Sequence, residues 1–239
     1  MARRHEPGGS RNAMYSLIRK GRREVKRVWY RRHPLRYWET RHQEHVGGLD
    51  GVGCLGLGSE GNARDYAAKW NHISALLTRY GPPAGARVLD AGCGIGWFTR
   101  RLVEFGYAVD AVDFSPAAVA LARSQINHPV NWHVSSLEGY EPSCSYDLIV
   151  CVDVLFHITD DAIWRRSLQR LASLIRPGGA LVIQDHLLAE TLGHSGAPHV
   201  RWRTLTDYVN VLLGWKVLVH DRYTLPVEDT WKDLLLLKR

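Results

Sequence analysis

The chain contains little cysteine and no long apolar run, and each absence excludes a class of protein. Its four cysteines are far apart in the sequence: Cys54, Cys93, Cys144 and Cys151. No pair has metal-ligand spacing, so neither a disulfide scaffold nor a zinc ribbon is expected. The longest apolar tracts, around 148–156 and 234–237, are far shorter than the roughly 18 residues of a membrane span. The Arg-rich start lacks the apolar segment of a secretory signal, so we expect a cytoplasmic protein, with a transit peptide as the weaker alternative.

The charge balance divides the chain into a basic arm and a nearly neutral body. The 239 residues include 31 Lys+Arg and 24 Asp+Glu, a net charge of +7. Residues 1–45 contain 13 and 4 of these, a net of +9, whereas residues 46–239 contain 18 and 20, a net of −2. The length and the 45% hydrophobic content are typical of a globular chain with one domain of ordinary size. The excess positive charge therefore belongs to the arm.

The N-terminal part of the chain is predicted to be helical, with one glycine-rich interruption. After a tail without periodicity, apolar residues between 15 and 32 recur at helical spacing with Arg and Lys between them. His33-Pro34 ends this helix, because the residue before a proline avoids the α region. Further helices are predicted over 35–45 and 63–80, and residues 46–61, with seven glycines, form the loop between them. We therefore divide the chain into an arm with its loop (1–62) and a main domain (63–239).

From residue 87 onwards, short apolar runs alternate with helical stretches. Seven strands are predicted, at 87–91, 108–113, 131–134, 147–152, 180–185, 216–221 and 231–237. Helices are predicted at 96–105, at 116–126 behind a Ser115-Pro116 cap, at 160–175 and at 205–213, the third ended by Arg176-Pro-Gly-Gly. Strands that alternate with helices of this length form a parallel sheet covered on both faces. The predicted fold class is α/β with a doubly wound sheet.

A glycine-rich turn follows the first predicted strand. Gly92, Gly94 and Gly96 stand between strand and helix, where bare backbone can approach a ligand at the carboxyl edge of the sheet. Asp113 ends the next strand, seventeen residues beyond Gly96, where a carboxylate can accept from both hydroxyls of a ribose. The glycine spacing is not that of dinucleotide-binding proteins, and Asp90 would repel a pyrophosphate but suit an ammonium group. The pattern favours a nucleoside with a zwitterionic tail; a mere tight connection is the structural alternative.

Four segments of the chain, in the same order and at the same separations, resemble the class I S-adenosylmethionine-dependent methyltransferases (type 11/12-like). They are VLDAGCGIGWFT (88–99), VDFSP (112–116), YDLIVCVDVLFHI (146–158) and LIRPGGALVIQD (174–185). The resemblance covers about residues 60–239. It implies a seven-stranded sheet of order 3-2-1-4-5-7-6 with the last strand antiparallel. It also implies that S-adenosyl-L-methionine is the cofactor and S-adenosyl-L-homocysteine the product.

The resemblance implies a role for each position of the cofactor site. The three glycines would pack against the methionine part, Asp90 would order the loop and the ammonium, and Asp113 would bind the ribose. Phe114 would lie against the adenine. The acidic residue that the family usually has after the third strand is replaced by serine, so a serine hydroxyl and the next backbone amide would bind the ring. The full implied set is Asp90, Gly92, Gly94, Gly96, Asp113, Phe114, Ser136, Leu137 and Asp153.

Methylation of a hydroxyl needs a base, and the candidates follow the fourth and fifth strands. Asp153 and His157 are four residues apart and share a face if that segment is helical, and histidine has a suitable ordinary pKa. Asp185 and His186 end the fifth strand and are expected to point into the same crevice. The structural alternatives are that His157 hydrogen-bonds the adjoining segment and that Asp185 is a cap.

The same stretch resembles the ubiquinone-pathway O-methyltransferases, in which two Glu and a His flank the acceptor pocket and can hold Mg²⁺. Asp153 and His157 match two of those positions, but Phe156 replaces the second carboxylate. A hard divalent cation prefers several oxygen ligands, so no metal is expected.

The connection 187–203 is expected to build acceptor specificity. Alternation in this segment would place His199, Arg201 and Arg203 on one side, where they could hold a carboxylate or phosphate of the acceptor. A solvated loop with one salt bridge to the body is the alternative.

Three roles compete for the basic arm. It could be a lid or homodimer contact that excludes water from the reaction, a membrane-surface helix, or a nucleic-acid contact with aromatic residues that stack on bases. We favour the lid or dimer contact, because no nucleic-acid-binding module accompanies the arm. The predicted function is therefore O-methylation of a small molecule, such as a secondary metabolite or sugar. N-methylation, RNA methylation and a cofactor-binding module without methyl transfer are the alternatives.

Overall fold

The computed structural model describes residue 25 and residues 28–45, 48–188 and 197–239. Most of the predicted helix over 15–32 lies outside these ranges, as do the tail 1–12 and part of the connection 187–203. Residues 28–32 are helical, the chain breaks at His33, and helix α1 (Pro34–Glu44) follows. Within the described ranges, no helix is both long and apolar enough to cross a bilayer.

A seven-stranded sheet forms the centre of the main domain. In chain order the strands are β1 (Arg87–Ala91), β2 (Ala108–Asp113), β3 (Val130–Val134), β4 (Tyr146–Val152), β5 (Ile175–Asp185), β6 (Lys216–Thr224) and β7 (Trp231–Lys238). Their order in the sheet is 3-2-1-4-5-7-6. Strand β7 is antiparallel to both of its neighbours, whereas the pairs among β1 to β5 are parallel. The predicted fold class and strand order are confirmed.

Helices cover both faces of this sheet. They are α2 (Gly58–Tyr80), α3 (Trp97–Glu104), α4 (Pro116–Gln125), α5 (Asp161–Ser173) and α6 (Leu205–Val211). Strand β4 is buried along its whole length. Ile149 and Cys151 pack in the same apolar cluster as α5 and α6, whereas Leu148 and Val150 pack in the cluster of α2 and α3. Because alternate side chains enter opposite cores, the strand is a continuous apolar run in the sequence.

Several predicted boundaries differ from the structure, and tertiary contacts explain two of the helix boundaries. Helix α2 begins at Gly58 rather than at residue 63, because Ser59 and Asn62 donate to the Asp50 carboxylate and hold the first turn in place. Helix α5 ends at Ser173 rather than at 175. The segment 175–179, predicted to end a helix, already belongs to β5, and Ile175 pairs with Tyr146 beside a register shift.

Helix α1 is anchored on the body through a carboxylate. Glu39 Oε1 accepts from the Ala117 N–H at 3.1 Å and from the Ser115 hydroxyl, at the N-terminus of α4. Ser115 is also the N-cap of α4, and Pro116 occupies its first turn, as predicted. A negative charge at a helix N-terminus interacts favourably with the helix dipole. The arm is therefore held over the carboxyl edge of the sheet.

We predict that Glu39→Gln loosens the arm without unfolding the domain. The amide keeps the shape but loses the charge, which should cost about 1–2 kcal/mol of arm docking. Hydrogen exchange of the backbone amides in 28–45 should accelerate by about five-fold or more, while the protection of β1 and β4 stays unchanged. Glu44→Gln, at an exposed position of the same helix, is the matched control. Equal exchange in the two variants would contradict the anchor.

Candidate active site

A cavity opens at the carboxyl edge of the sheet, where the turns after β1, β2, β3 and β4 meet. Body residues line it from Gly92 to Ile95, at Asp113 and Phe114, from Ser135 to Glu138, and from Val152 to Val154. The segment His157–Asp160 lines a further side, and the arm contributes Tyr30, Arg31, Pro34, Trp38 and His42. Eight aromatic or histidine rings face the cavity: Tyr30, Trp38, His42, Tyr66, Trp97, Phe98, Phe114 and His157. The arm and the sheet edge thus enclose one largely apolar space.

The glycine-rich turn needs glycine for two reasons. Gly92, Gly94 and Gly96 have φ values of 82°, 52° and 81°, a conformation that side-chain-bearing residues rarely adopt. Gly92 also lies close to the segment after β4, because a Cβ there would come within 2.3 Å of Val154. Gly92 and Gly94 line the cavity, whereas Gly96 lies outside its lining and packs against α4. Two of the three glycines therefore present backbone to a ligand.

Asp113 presents a buried carboxylate to the cavity. Its Oδ2 accepts from the Gly94 N–H at 2.9 Å and its Oδ1 from the Ser115 N–H at 2.9 Å. Burial raises the pKa of this carboxyl, and the backbone donors oppose that shift. One N–H on each oxygen leaves acceptor capacity for two hydroxyl groups. Together with Phe114, Ser136 and Leu137, which also line the cavity, this donor set suits a nucleoside, so the residues present fit S-adenosylmethionine.

Asp90 does not line the cavity, contrary to the part of the prediction that placed it on the ammonium. It is buried and accepts a hydrogen bond from the Thr99 hydroxyl at 2.6 Å. Burial raises its pKa to about 7. The residue therefore connects the end of β1 to the first turn of α3 and so orders the glycine-rich turn between them.

Asp153 lines the cavity but is held by two buried lysines. Lys69 of α2 lies 2.6 Å from its Oδ2, and Lys232 of β7 lies 2.5 Å from its Oδ1. Burial alone would raise the pKa of Asp153, but the two ammonium groups outweigh burial and keep the pKa well below its usual range. Two cations on one anion leave one positive charge uncompensated within this group, which we call the Lys–Asp–Lys cluster. Asp153 is therefore not a base.

The segment from Asp153 to His157 is not an α-helix, so the condition under which the two side chains would share a helical face is not met. Asp153 has a left-handed backbone with φ of 56°, and the only helical part of the segment is a single 3-10 turn, Leu155–His157. Both side chains nevertheless line the same cavity.

His157 is oriented by a backbone carbonyl. Its Nδ1 lies 3.0 Å from the carbonyl oxygen of His199; since that oxygen can only accept, Nδ1 carries the hydrogen and Nε2 keeps its lone pair. Burial and the neighbouring His199 hold the pKa of His157 well below its ordinary value. The ring packs against Trp38 of the arm at 4.9 Å between centroids. His157 is therefore a neutral imidazole on the cavity wall, with one nitrogen available to accept a proton.

Asp185 and His186 are buried outside the cavity lining, so the expectation that they point into the same crevice is wrong. Asp185 accepts from the Tyr208 hydroxyl and from the His186 N–H, and burial raises its pKa to about 7. His186 packs between Phe156 and Trp202, and burial lowers its pKa to about 3. Asp185 thus connects β5 to α6, and His186 lies next to a two-residue parallel ladder that pairs Leu187–Leu188 with Arg203–Thr204.

The three predicted acceptor-binding residues also lie outside the cavity lining. Arg201 and Arg203 do lie together, but both pair with Asp161, at 2.6 and 3.1 Å. Arg203 is buried, with its guanidinium over the Trp164 ring at 4.3 Å. The ring of His199 stacks on Tyr37 of the arm at 5.1 Å. The structure therefore differs from both expectations: the described part of the connection is salt-bridged to the body as predicted in the alternative, but through two arginines, and Arg203 is buried rather than solvated.

Neither lysine of the Lys–Asp–Lys cluster was among the predicted site residues. Lys69 lies on the apolar stripe of α2, between Tyr66 and Ile73, and Lys232 precedes the buried leucines of β7. A cation on a buried stripe or strand is unusual, and this was the available signal. No group of three or more His, Cys, Asp or Glu among the described residues is arranged as a metal site.

Comparisons with known proteins agree with this geometry. A family model described as a methyltransferase domain matches residues 63–235. The ubiquinone biosynthesis O-methyltransferase of Xanthomonas axonopodis pv. citri (strain 306) is 37% identical over 117 residues, which cover 47% of this chain and 46% of that protein. The chain therefore spans about half the length of the curated relatives it matches.

Solved structures show the same fold. Magnesium protoporphyrin IX methyltransferase from Synechocystis PCC 6803, with bound S-adenosylmethionine, superposes with a TM-score of 0.63 at 17% identity, covering 91% of this chain and 96% of that one. The N-methyltransferase NodS from Bradyrhizobium japonicum WM9 superposes with a TM-score of 0.58 at 19% identity, covering 72% and 86%. The family model matches most of the chain, and the glycine-rich turn and the strand order agree with it. The chain therefore belongs to the class I S-adenosylmethionine-dependent methyltransferase family.

Proposed function

We propose that the chain transfers a methyl group from S-adenosylmethionine to an oxygen atom of a small, largely apolar acceptor. S-adenosylmethionine supplies a methyl group that is activated by the positive charge of its sulfonium. The cofactor would be held by Gly92 and Gly94 at its methionine part, by Asp113 at the ribose, and by Phe114 and Leu137 at the adenine. The rest of the cavity, walled by Tyr30, Trp38 and other rings, suits an aromatic acceptor better than a sugar.

The Lys–Asp–Lys cluster is the observation that favours oxygen over nitrogen. Its two ammonium groups lie outside the cavity lining, but both contact Asp153, which lines the cavity. A nearby cation stabilises the anionic form of an acceptor hydroxyl and lowers its pKa. An amine acceptor instead develops positive charge as it takes the methyl group, and a nearby cation disfavours that charge. A phenol or another acidic hydroxyl is therefore the acceptor that the charge distribution favours.

His157 is the proposed proton acceptor. Its lowered pKa keeps it neutral near pH 7, and the His199 carbonyl fixes Nδ1 as the protonated nitrogen. Nε2 can then take the proton that the acceptor hydroxyl loses. A base with a low pKa is a weak one, and the positive cluster offsets this weakness because it makes the hydroxyl more acidic.

The arm acts as the lid of this site. Tyr30 donates to the backbone carbonyl of His157 at 3.1 Å, and Trp38 donates to the Tyr30 hydroxyl at 3.0 Å. Arg31 pairs with Asp160, another residue of the cavity lining. A lid tied to the catalytic histidine excludes water when it is closed and positions the acceptor for direct transfer.

We predict that Asp113→Asn weakens S-adenosylmethionine binding by about 10–100-fold, because charged hydrogen bonds to the ribose are lost. Isothermal titration calorimetry with S-adenosylmethionine and S-adenosylhomocysteine measures the change. Glu141→Gln, at an exposed surface position, is the control. Unchanged affinity in the Asp113 variant would reject the assignment of the cavity to this cofactor.

We predict that His157→Ala and His186→Ala differ sharply in turnover. The first variant should lose about 10²–10⁴-fold in kcat, and the second should stay within a few-fold of the wild type, because His186 lies outside the cavity. Release of S-adenosylhomocysteine is measured with a panel of phenols, anilines and sugars at saturating cofactor. The wild-type rate should stay level around pH 7 and fall only well below the ordinary histidine pKa, because burial holds the pKa of His157 below that value; this acidic limb should vanish in the His157 variant. Faster turnover of anilines than of phenols would favour N-methylation.

We predict that Lys232→Met moves the pH–rate profile for a phenol acceptor towards alkaline pH by about one unit or more. The variant leaves Lys69 and Asp153 as a neutral pair, so the bound hydroxyl loses the charge that lowers its pKa. Lys216→Met removes an exposed lysine of β6 and should leave the profile unchanged. A drop in rate without a pH shift would assign the cluster a purely structural role.

A further inference from the structure

The arm has a second apolar face, which points away from the cavity. Val25, Val28, Trp29 and Arg32 have the spacing of one helical stripe. The first three side chains are 70%, 46% and 41% exposed, and Leu35 beyond the break is 43% exposed. Tyr30, by contrast, is buried against the body. An exposed row of apolar side chains of this kind, where a solvated face would be polar, marks an interaction surface.

The surroundings of this face are strongly basic. Residues 25–38 contain five Lys or Arg and no Asp or Glu, and Arg32 and Arg36 are exposed beside the stripe. The first acidic residue after this segment, Glu39, faces inward and caps α4. A partner that binds this outer face of the arm must therefore offer both an apolar region and negative charge.

Three occupants other than a lipid surface fit less well. Residues 1–24 contain seven Lys or Arg and two Asp or Glu, so the arm's own beginning would be repelled. A second copy would bring the same positive charges. The bases of a nucleic acid could stack on Trp29 and its phosphates could bind the arginines, but it would not bury the aliphatic side chains of Val25, Val28 and Leu35.

We propose that this outer face of the arm docks on an anionic lipid surface. Aliphatic and tryptophan side chains enter the boundary between headgroups and acyl chains, while arginines on the same element bind the anionic headgroups. The docked arm lies beside the cavity, because Arg31, next to Arg32 in the chain, lines it and pairs with Asp160. If the chain methylates an apolar acceptor, as proposed above, this position of the arm suits an acceptor that is dissolved in the lipid.

Sedimentation of the whole 239-residue chain with vesicles tests the proposal without cofactor or acceptor, so its outcome is independent of the methyl-transfer activity. Vesicles of phosphatidylcholine with about 30% phosphatidylglycerol should bind the protein, and more salt should weaken this binding. Phosphatidylcholine alone should bind it at least about ten-fold less. Absence of binding to the anionic vesicles overturns the proposal.

Two pairs of matched variants identify the face. Val28→Ser with Trp29→Ser should weaken binding to the anionic vesicles at least about ten-fold, whereas Leu213→Ser with Leu218→Ser, at exposed apolar positions of the body, should not. Arg32→Glu with Arg36→Glu should weaken binding at least about ten-fold and flatten the salt dependence, whereas the exposed pair Arg165→Glu with Arg166→Glu should change it little.

Thermal unfolding midpoints within a few degrees of the wild type show that these variants are folded. Equal losses in the arm and body variants would overturn the assignment of the face. Tighter binding to a single-stranded RNA oligonucleotide than to the anionic vesicles, lost in the Trp29 variant, would overturn it in favour of nucleic acid. A dimer in solution that the same variant dissociates would overturn it in favour of a second copy.

Discussion

The ion pairs of Asp153 are the interaction on which the carboxyl edge of the sheet depends. One carboxylate joins Lys69 of α2 to Lys232 of β7, and it does so from a left-handed backbone position at the end of β4. Such a backbone conformation is unfavourable for a residue with a side chain, and it persists here where two buried cations fix the side chain. Removing the carboxylate would leave two buried ammonium groups without a partner, which costs several kcal/mol. The position is therefore constrained by charge as well as by shape.

Among the ionisable groups near this cluster, the Glu228 carboxylate acts on Lys232 and partly offsets the surplus charge, whereas the others contribute little charge. Burial raises the pKa of Asp90 and of Asp185 to about 7, so neither is a firmly ionised anion. Burial also lowers the pKa of His42 and His199 to about 4, so these rings are neutral near pH 7. The Lys–Asp–Lys cluster is therefore the main positive charge beside a cavity whose lining is largely apolar. An acceptor that becomes anionic as it reacts is favoured by the whole arrangement and not by a single contact.

The sequence was sufficient for what local patterns determine. Strands β1 and β2 have the predicted bounds, and Ser115 and Pro116 begin α4 as predicted, because short apolar runs and caps are local signals. Asp113 lines the predicted crevice because a strand end fixes its place at the sheet edge. The Lys–Asp–Lys cluster joins residues up to 163 positions apart, since it runs from Lys69 to Lys232, and no periodicity encodes such a pairing. The pairing of Asp185 with Tyr208 could not be predicted for the same reason, because Tyr208 comes from a later helix.

The basic arm has an inner face that packs on the body and an outer face that is exposed, and the two faces have different roles. The inner face of the arm is committed to the body through Tyr30, Trp38 and the Glu39 cap. Of its cations, Arg31 pairs with Asp160, and the buried Arg41 donates to backbone carbonyls of the loop that follows. The other cations would be without a purpose if closing the cavity were the only task of the arm. Exposed apolar side chains also cost about 25 cal/mol for each Å² that remains in water. The outer face of the arm exposes both cations and apolar side chains. An anionic lipid surface would bind both, next to the cavity that the acceptor must enter.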